Sequence, residues 1–233
     1  GSKYLLPDFQ RDFKTAFTDI TKRAKTPILC GGTGLYLESV LENHQYTAIP
    51  EDEVFRNSTL EKSYEALLSK FHQLKKPIDF SPDLSTRKRT VRAIEVGEYL
   101  NKNKLDIEQP LNFNPIIFGL DISRDLRREK ISKRLIERLN NGMIEEVQAL
   151  LNSGISHENL TYYGLEYKFI TEYLLGKLTL SDMTKKLEIG IHQFAKRQMT
   201  WFRRMEKKGH DIHWIDAELD INEKIKLIKN NIQ

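Results

Sequence analysis

The order of patterns between Pro7 and Leu41 limits the folds that this chain can adopt. An amphipathic helix is predicted first, with one apolar face formed by Phe9, Phe13, Phe17 and Ile20. The short apolar run Thr26–Cys30 follows and is typical of a buried strand. A glycine turn, Gly31-Gly-Thr-Gly34, then leads into a second helical pattern. Helix, buried strand, turn and helix in this order predict a parallel sheet covered by helices.

Two later segments also have the pattern of strands. Pro115–Leu120 is predicted to be a second buried strand, and His210–Ile215 alternates between polar and apolar residues. Between them, after Ser123, the patterns are mostly helical. The segment before them is helical as well, with helices predicted over Thr59–Leu74 and Ser85–Leu100.

We therefore predict an α/β fold with two domains. Residues 1–44 and 113–233 are expected to form the sheet-based core together with C-terminal helices. Residues 45–112 are expected to form a helical insertion domain.

Composition restricts the class of protein further. A chain of 233 residues with 39% hydrophobic content can bury a core, and its net charge of only +4 means that any strongly cationic surface is local. A single cysteine, Cys30, excludes an internal disulfide framework. The sequence has no signal-peptide pattern and no run long enough to cross a membrane. We expect a soluble, cytoplasmic protein, and a monomer.

A long cationic helix is predicted from Ser181, as its N-cap, to Gly209, as its end. One face is apolar and comprises Met183, Leu187, Ile191, Phe194, Trp201, Phe202 and Met205. Much of the remaining surface is cationic, with Lys185, Lys186, Lys196, Arg197, Arg203, Arg204, Lys207 and Lys208. Such a helix suits the phosphate backbone of a nucleic acid. An ordinary solvated surface helix has the same charge pattern, so charge alone does not decide between them.

Two further segments carry clustered cations. Arg87-Lys-Arg-Thr-Val-Arg92 has four cations and no acid near the start of a helix, where the helix dipole disfavours them. One helix is predicted from Arg124 to Leu151, with a stripe of cations beside its apolar stripe: Arg127, Lys130, Arg134 and Arg138. Arg134 would then be partly desolvated and able to clamp a phosphate group. The alternative is an arginine paired with Glu137 or another acid.

Two other groups of residues could carry chemistry. Tyr162-Tyr-Gly-Leu-Glu-Tyr-Lys168 could stack unpaired bases, although tyrosines at this spacing are more often core residues. The turn Gly31–Gly34 could approach an anion, but no lysine follows it and no phosphate-loop motif occurs in the chain. The cluster of His and Asp residues between His210 and Asp216 is better explained by a strand end, and we assign no metal there.

Taken in order, four motifs resemble the tRNA dimethylallyltransferase (tRNA isopentenyltransferase) family. Leu29-Cys-Gly-Gly-Thr-Gly-Leu-Tyr-Leu37 resembles the family's strand and glycine turn, and Arg89-Thr-Val-Arg-Ala-Ile-Glu-Val96 resembles its R-x-x-R-A-L-E-V helix. Arg124–Val147 is similar to R-x-x-L…R-I-x-x-R…G-x-x-E-E-V, and Ala195-Lys-Arg-Gln-Met-Thr-Trp201 to A-K-R-Q-x-T-W. The series covers nearly the whole chain, and four motifs in order are far more specific than any one of them.

The resemblance implies a P-loop NTPase-like core and a prenyl transfer. N6 of adenosine 37, next to the anticodon in tRNA, would attack C1 of dimethylallyl diphosphate and release diphosphate. The adenine would have to leave the stack of the anticodon loop. By resemblance, Arg134 is the catalytic arginine, and it binds the donor diphosphate together with Lys130.

The resemblance also implies contacts with the anticodon stem-loop. The implied tRNA-binding residues are Thr33, Arg56, Lys88, Arg89, Thr90, Val91, Arg92, Tyr163, Gly164, Leu165, Glu166, Tyr167, Lys168, His192, Gln193, Lys196 and Arg197.

Three departures from the family pattern affect these expectations. The family's nucleotide-binding phosphate loop and its general-base aspartate have no counterpart in this sequence, so we expect Mg²⁺ ligands upstream of residue 1 and no turnover by these 233 residues alone. His192 stands where the family commonly has arginine, and an unperturbed histidine is mostly neutral near pH 7. Gly164-Leu-Glu-Tyr167 replaces the more usual G-Y-[KR]-E.

Two other functions remain open on the sequence. One is a non-catalytic RNA-binding fragment, and the other is a relative of small-molecule kinases. The clustered cations and the Ala195–Trp201 signature argue against the kinase.

Overall fold

The computed structural model describes residues 4–42, 44–77, 80–104 and 111–232. The chain forms two compact units, the N-terminal unit Gly1–Phe113 and the C-terminal unit Asn114–Gln233. The predicted division into a core of residues 1–44 and 113–233 with an insertion at 45–112 stays a prediction.

Helices account for the regular structure described in the N-terminal unit. They are α1 (Leu6–Lys22), α2 (Gly34–Leu41), a 3₁₀ helix (Gln45–Ala48), α3 (Glu53–Thr59), α4 (Tyr64–Gln73) and α5 (Arg87–Lys102). The predicted aromatic face of α1 is confirmed, since Phe9 and Phe13 stack with ring centroids 6.4 Å apart and Phe9 stacks on Tyr36 of α2 at 4.6 Å. The Gln10 side chain also donates to the Ser39 carbonyl and accepts from the Thr47 hydroxyl. α1 therefore holds α2 and the 3₁₀ helix in place.

A hydrophobic core joins α3, α4 and α5. Its buried residues are Ile49, Phe55, Leu67, Phe71, Phe80, Val91, Ala93, Ile94 and Val96. The helix predicted over Thr59–Leu74 is found as α4, but it starts later, since Thr59 is the last residue of α3. Ser63 caps α4 by accepting a hydrogen bond from the Ala66 amide at 3.1 Å.

The strand predicted at Thr26–Cys30 is absent from the structure. This segment has no regular structure, and Ile28 is 87% exposed. A strand obtains its hydrogen bonds from a neighbouring strand, and the described part of the N-terminal unit contains none. The helix predicted after the glycine turn is confirmed and begins at Gly34.

The C-terminal unit contains a parallel pair of strands, β1 (Ile117–Asp121) and β2 (Ile212–Asp216). Both strand predictions and the parallel arrangement are confirmed, with Ile117 opposite Ile212. β1 is less buried than predicted, since Leu120 is 60% exposed. Gly119 makes the pairing possible, because a Cβ atom there would lie 2.5 Å from the Trp214 ring.

The helices of the C-terminal unit are α6 (Arg124–Asn140), α7 (Met143–Asn152), α8 (His157–Tyr163), α9 (Leu165–Leu174), α10 (Leu180–Lys207) and α11 (Ile221–Ile232). The prediction of one helix over Arg124–Leu151 is wrong. Gly142 has φ = +89°, a left-handed conformation that ends α6 and starts α7 in a new direction. The long cationic helix is confirmed as α10, but its N-cap is Thr179, whose hydroxyl accepts from the Asp182 amide at 3.1 Å, and not Ser181.

These helices enclose a second core. Its buried residues are Leu135, Met143, Val147, Leu160, Ile170, Met183 and Leu187.

In the described ranges, no helix is both long and apolar enough to span a membrane.

Candidate functional site

The cations of α6 form a stripe beside the buried face of that helix. Leu135 is buried in the C-terminal core, whereas Arg134 and Lys130 are exposed and have no hydrogen bond or ion pair within the described residues. The expectation that Arg134 is partly desolvated is therefore wrong, and the alternative pairing with Glu137 is also not found there. Arg138, further along the stripe, lies 3.6 Å from Glu146. Within the stripe, Lys130 and Arg134 are thus two neighbouring cations without a partner in the described residues, and one anion could reach both.

The central part of α10 presents a mixed aromatic and cationic surface. Gln193, Lys196 and Arg197 are exposed. Phe194 was predicted on the apolar face but is exposed, and the Arg197 guanidinium carbon lies 5.9 Å from its ring centroid. Exposed aromatic rings next to cations are suited to stacking on bases and to contact with phosphates.

His192 lies on the same helix but in a different environment. Its side chain is 14% exposed, and its Nε2 lies 3.7 Å from Oε1 of Glu188. Its Nδ1 is buried and has no hydrogen-bond partner in the described structure. An RNA phosphate could not reach this nitrogen without a rearrangement, so the predicted tRNA contact of His192 would have to use another atom.

The Tyr162–Lys168 segment spans the junction of α8 and α9. Gly164 separates the two helices, and Tyr163 is exposed. Leu165 packs against the hydrophobic core. The Tyr167 hydroxyl donates to Glu146 at 2.9 Å, and this hydrogen bond raises the pKa of Tyr167. Glu166 is half-buried, and the Lys168 ammonium lies 5.4 Å from the centroid of the Phe169 ring. Of this segment, Tyr163 is the residue best placed to meet a ligand.

Two predicted tRNA contacts in the N-terminal unit share a buried carboxylate. The Glu95 side chain is 1% exposed and accepts from Arg56 at 2.6 and 2.9 Å and from Arg92 at 3.2 Å. The hydrogen bonds to Glu95 raise the pKa of Arg56 above its ordinary value. Arg92 also donates to the carbonyls of residues 46, 49 and 50, at 3.1, 2.5 and 3.1 Å. Both arginines thus bind the helices of this unit together.

The rest of the basic segment of α5 is mostly engaged in internal contacts as well. Arg87 donates to the carbonyls of residues 59, 60 and 62, and Arg89 donates to Asp83 at 2.6 Å. Thr90 and Val91 are buried in the unit. Lys88 is exposed and has no partner in the described part of the chain. Of these five residues, Lys88 is therefore the cation most available to RNA.

Thr33 precedes α2 at the end of the glycine turn. It is exposed, and its hydroxyl forms no capping hydrogen bond. The hydroxyl is consequently available to a ligand.

One further cluster was not predicted from the sequence. Glu38, Glu42 and His44 bring ligand atoms within 4.8 Å of one another, with Glu38 fully buried. The four-residue spacing of Glu38, in α2, and Glu42, at its C-cap, was the available signal. Mg²⁺ prefers oxygen ligands in octahedral geometry, which a set containing an imidazole fits poorly. The expectation of Mg²⁺ ligands upstream of residue 1 stays a prediction.

The sequence model of the family described as IPP transferase matches residues 1–205. The chain belongs to the IPP transferase family. Among curated proteins, tRNA dimethylallyltransferase 2 of Bacteroides fragilis is 48% identical over 236 residues, covering 100% of this chain and 76% of that protein. A second relative, tRNA dimethylallyltransferase 2 of Phocaeicola vulgatus, is 50% identical over 99% of this chain and 75% of its own length.

Solved structures of IPP transferases have the same fold. The tRNA isopentenylpyrophosphate transferase of Bacillus halodurans is 27% identical, with a TM-score of 0.67 over 99% of this chain and 73% of that one. A eukaryotic dimethylallyltransferase acting on tRNA has a TM-score of 0.71 at 19% identity, over 99% of this chain and 62% of that one. At this level of identity the second likeness concerns the fold alone.

Proposed function

We propose that this IPP transferase transfers the dimethylallyl group of dimethylallyl diphosphate to N6 of adenosine 37, next to the anticodon of tRNA. In this reaction N6 forms a bond to C1 of the donor, the bond between C1 and the diphosphate oxygen breaks, and N6 loses one proton. The observation that supports the proposal most directly is that Lys130 and Arg134, one turn apart on one face of α6, are both exposed and have no partner in the described residues. The names of the relatives support the substrate class.

Arg134 and Lys130 would neutralise the charge that develops on the leaving diphosphate. Donors held on a rigid helix need little reorganisation during the reaction, which is why fixed cations are effective there. Arg134 can also bind two phosphate oxygens at once, since its guanidinium is a planar fork.

The tRNA would contact exposed side chains that form no hydrogen bond or ion pair with the described part of the chain. On α10 these are Gln193, Lys196 and Arg197, with Phe194 as a stacking surface. Thr33, Tyr163 and Lys88 are exposed in the same way on other elements. Arg56, Arg89 and Arg92 would act indirectly, by holding the N-terminal unit in shape.

We further propose that the reaction takes place in the cytoplasm and requires Mg²⁺. The ion would shield part of the charge of the diphosphate. Arg134 and Lys130 would share that task.

The test is prenyl transfer by the full-length protein to an anticodon stem-loop RNA. Arg134→Ala should lower kcat/KM for the donor by about 10²- to 10³-fold, the usual cost of removing a preorganised charge-stabilising group. Arg128→Ala is the matched control, because Arg128 is exposed on the same helix and lies outside the stripe. Equal activity of the two variants would contradict the role of Arg134. RNA binding without transfer would favour the non-catalytic alternative, and phosphate transfer from ATP without prenylation would favour the kinase.

A further inference from the structure

A hydrogen bond joins α6 to α10 on the side of α6 away from Lys130 and Arg134. The Ser132 hydroxyl of α6 lies near two acceptors, Oε1 of Glu188 on α10 and, at 3.1 Å, the Arg128 carbonyl one turn earlier in α6. Oε1 of Glu188 is the nearer and carries the charge, so it accepts the single hydrogen of the hydroxyl. His192, one turn further along α10, has its Nε2 3.7 Å from the same oxygen. Glu188 therefore lies between a hydroxyl on one helix and an imidazole on the other.

The position of Ser132 on α6 shows which motion of that helix its hydrogen bond to Glu188 can restrain. Residues of an α-helix are separated by about 100° around its axis, so Ser132 lies about 200° from both Lys130 and Arg134. On one side of α6, the buried face with Leu135 lies between Ser132 and the two cations. A directional hydrogen bond at Ser132 thus resists rotation of α6 about its own axis.

A small rotation would matter for the cations. At a radius of about 5–6 Å, a rotation of about 20° moves a side chain by about 2 Å. Misplacement of a catalytic group by about 1 Å can cost about 100-fold in rate.

We propose that Glu188 is a positioning residue for prenyl transfer, which fixes the rotation of α6 through Ser132 and so directs Arg134 and Lys130 at the donor diphosphate. The inference rests on the proposed function. His192 assists, because its imidazole lies against Glu188 and limits the directions in which the carboxylate can turn. The buried Nδ1 of His192, which has no partner in the described structure, indicates that packing holds the ring on that side.

The test compares variants of the full-length protein in the same stem-loop assay. Glu188→Ala and Ser132→Ala should each lower kcat for transfer by up to about 100-fold, and by no more than the loss of Arg134 itself. KM for tRNA should not change, since neither residue is placed on the RNA surface. The double variant should be no worse than either single variant. Glu188→Gln, which keeps an oxygen to accept from Ser132, should restore most of the activity. Glu129→Ala is the matched control, because Glu129 is an exposed carboxylate of α6 without a partner in the described residues.

A second comparison separates positioning from general stabilisation. In a background that carries both Lys130→Ala and Arg134→Ala, Glu188→Ala should have no further effect on kcat, because both cations that it positions are gone. If the effects of Glu188→Ala and of the cation substitutions on kcat multiply, the inference is wrong. It is also wrong if Glu188→Ala and Glu129→Ala have equal kcat values. If Arg134→Ala has its expected effect and Glu188→Ala has none, this inference fails alone. If neither the wild type nor any variant transfers a prenyl group, the proposed function fails and this inference fails with it.

Discussion

Replacing Arg92 by alanine should destabilise the N-terminal unit instead of removing a phosphate contact. The guanidinium donates to three backbone carbonyls and to buried Glu95. Each such hydrogen bond contributes about 0.5–1.5 kcal/mol net. Glu95 keeps Arg56 as a partner, so the loss should stay below the roughly 3–5 kcal/mol typical of a buried charge left unpaired. We expect a loss of about 2–3 kcal/mol in the free energy of unfolding.

Hydrogen exchange of peptides from α5 is the appropriate measurement. Both tryptophans, Trp201 and Trp214, lie in the C-terminal unit, so tryptophan fluorescence would not report on this change directly. Since a factor of ten corresponds to about 1.4 kcal/mol, the slowest amides of α5 should exchange about 30- to 150-fold faster.

Lys88→Ala is the control for Arg92→Ala. Lys88 is exposed on the same helix, so its replacement should change the stability by less than about 0.5 kcal/mol. If Lys88 contacts a phosphate, the slope of log K for RNA binding against log salt should become shallower by about 0.7–0.9. Unchanged exchange in Arg92→Ala together with a shallower salt slope would refute the reasoning and return Arg92 to the RNA surface.

Two further substitutions test the C-terminal unit. Gly142→Ala should lower the unfolding free energy of that unit by about 1–2 kcal/mol, because φ there is +89°. Gly190→Ala is the control in the same urea titration, since Gly190 lies in the same unit without a left-handed backbone and its added Cβ would lie 3.4 Å from Leu165. Tyr167→Phe should cost about 1 kcal/mol at pH 8. The hydrogen bond to Glu146 raises the pKa of Tyr167, so its stabilisation is complete below the unfolded pKa of about 10 and disappears as the pH rises through the higher folded value. A difference that persists unchanged at higher pH would contradict the hydrogen bond.

Local sequence patterns predicted the helices well where the cause of the helix is local. α2 begins after the glycine turn as expected. α4 and α10 were predicted as helices, but their N-caps are Ser63 and Thr179, four residues after and two residues before the predicted starts. The predictions that were wrong depended on contacts with distant residues or on a pattern that fits more than one structure. Thr26–Cys30 has the composition of a strand but no neighbouring strand in the described part of its unit, and Gly142 breaks a helix whose apolar spacing continues on both sides of it.

The candidate site was only partly predictable for the same reason. The order of four motifs is a property of the sequence, and it led to the family. Whether a given cation is available to a ligand depends on tertiary contacts, and Arg92 finds its carbonyl partners more than 40 residues earlier in the chain. No spacing rule distinguishes it from Lys88, one turn before it on the same helix.

The parallel strand pair has a consequence for how the C-terminal unit folds. Ile117 pairs with Ile212, 95 positions later, and the helices α6 to α10 lie between the two strands. Closing a loop of this length has an entropic cost that must be met before the strands can pair, so local helix contacts should form first and the sheet last. During synthesis at about 5–20 residues per second, β1 would wait about 5–20 seconds for its partner. Until β2 has been made, the edge of β1 that later pairs with it lacks that partner, and an unpaired strand edge is a site at which chains can aggregate.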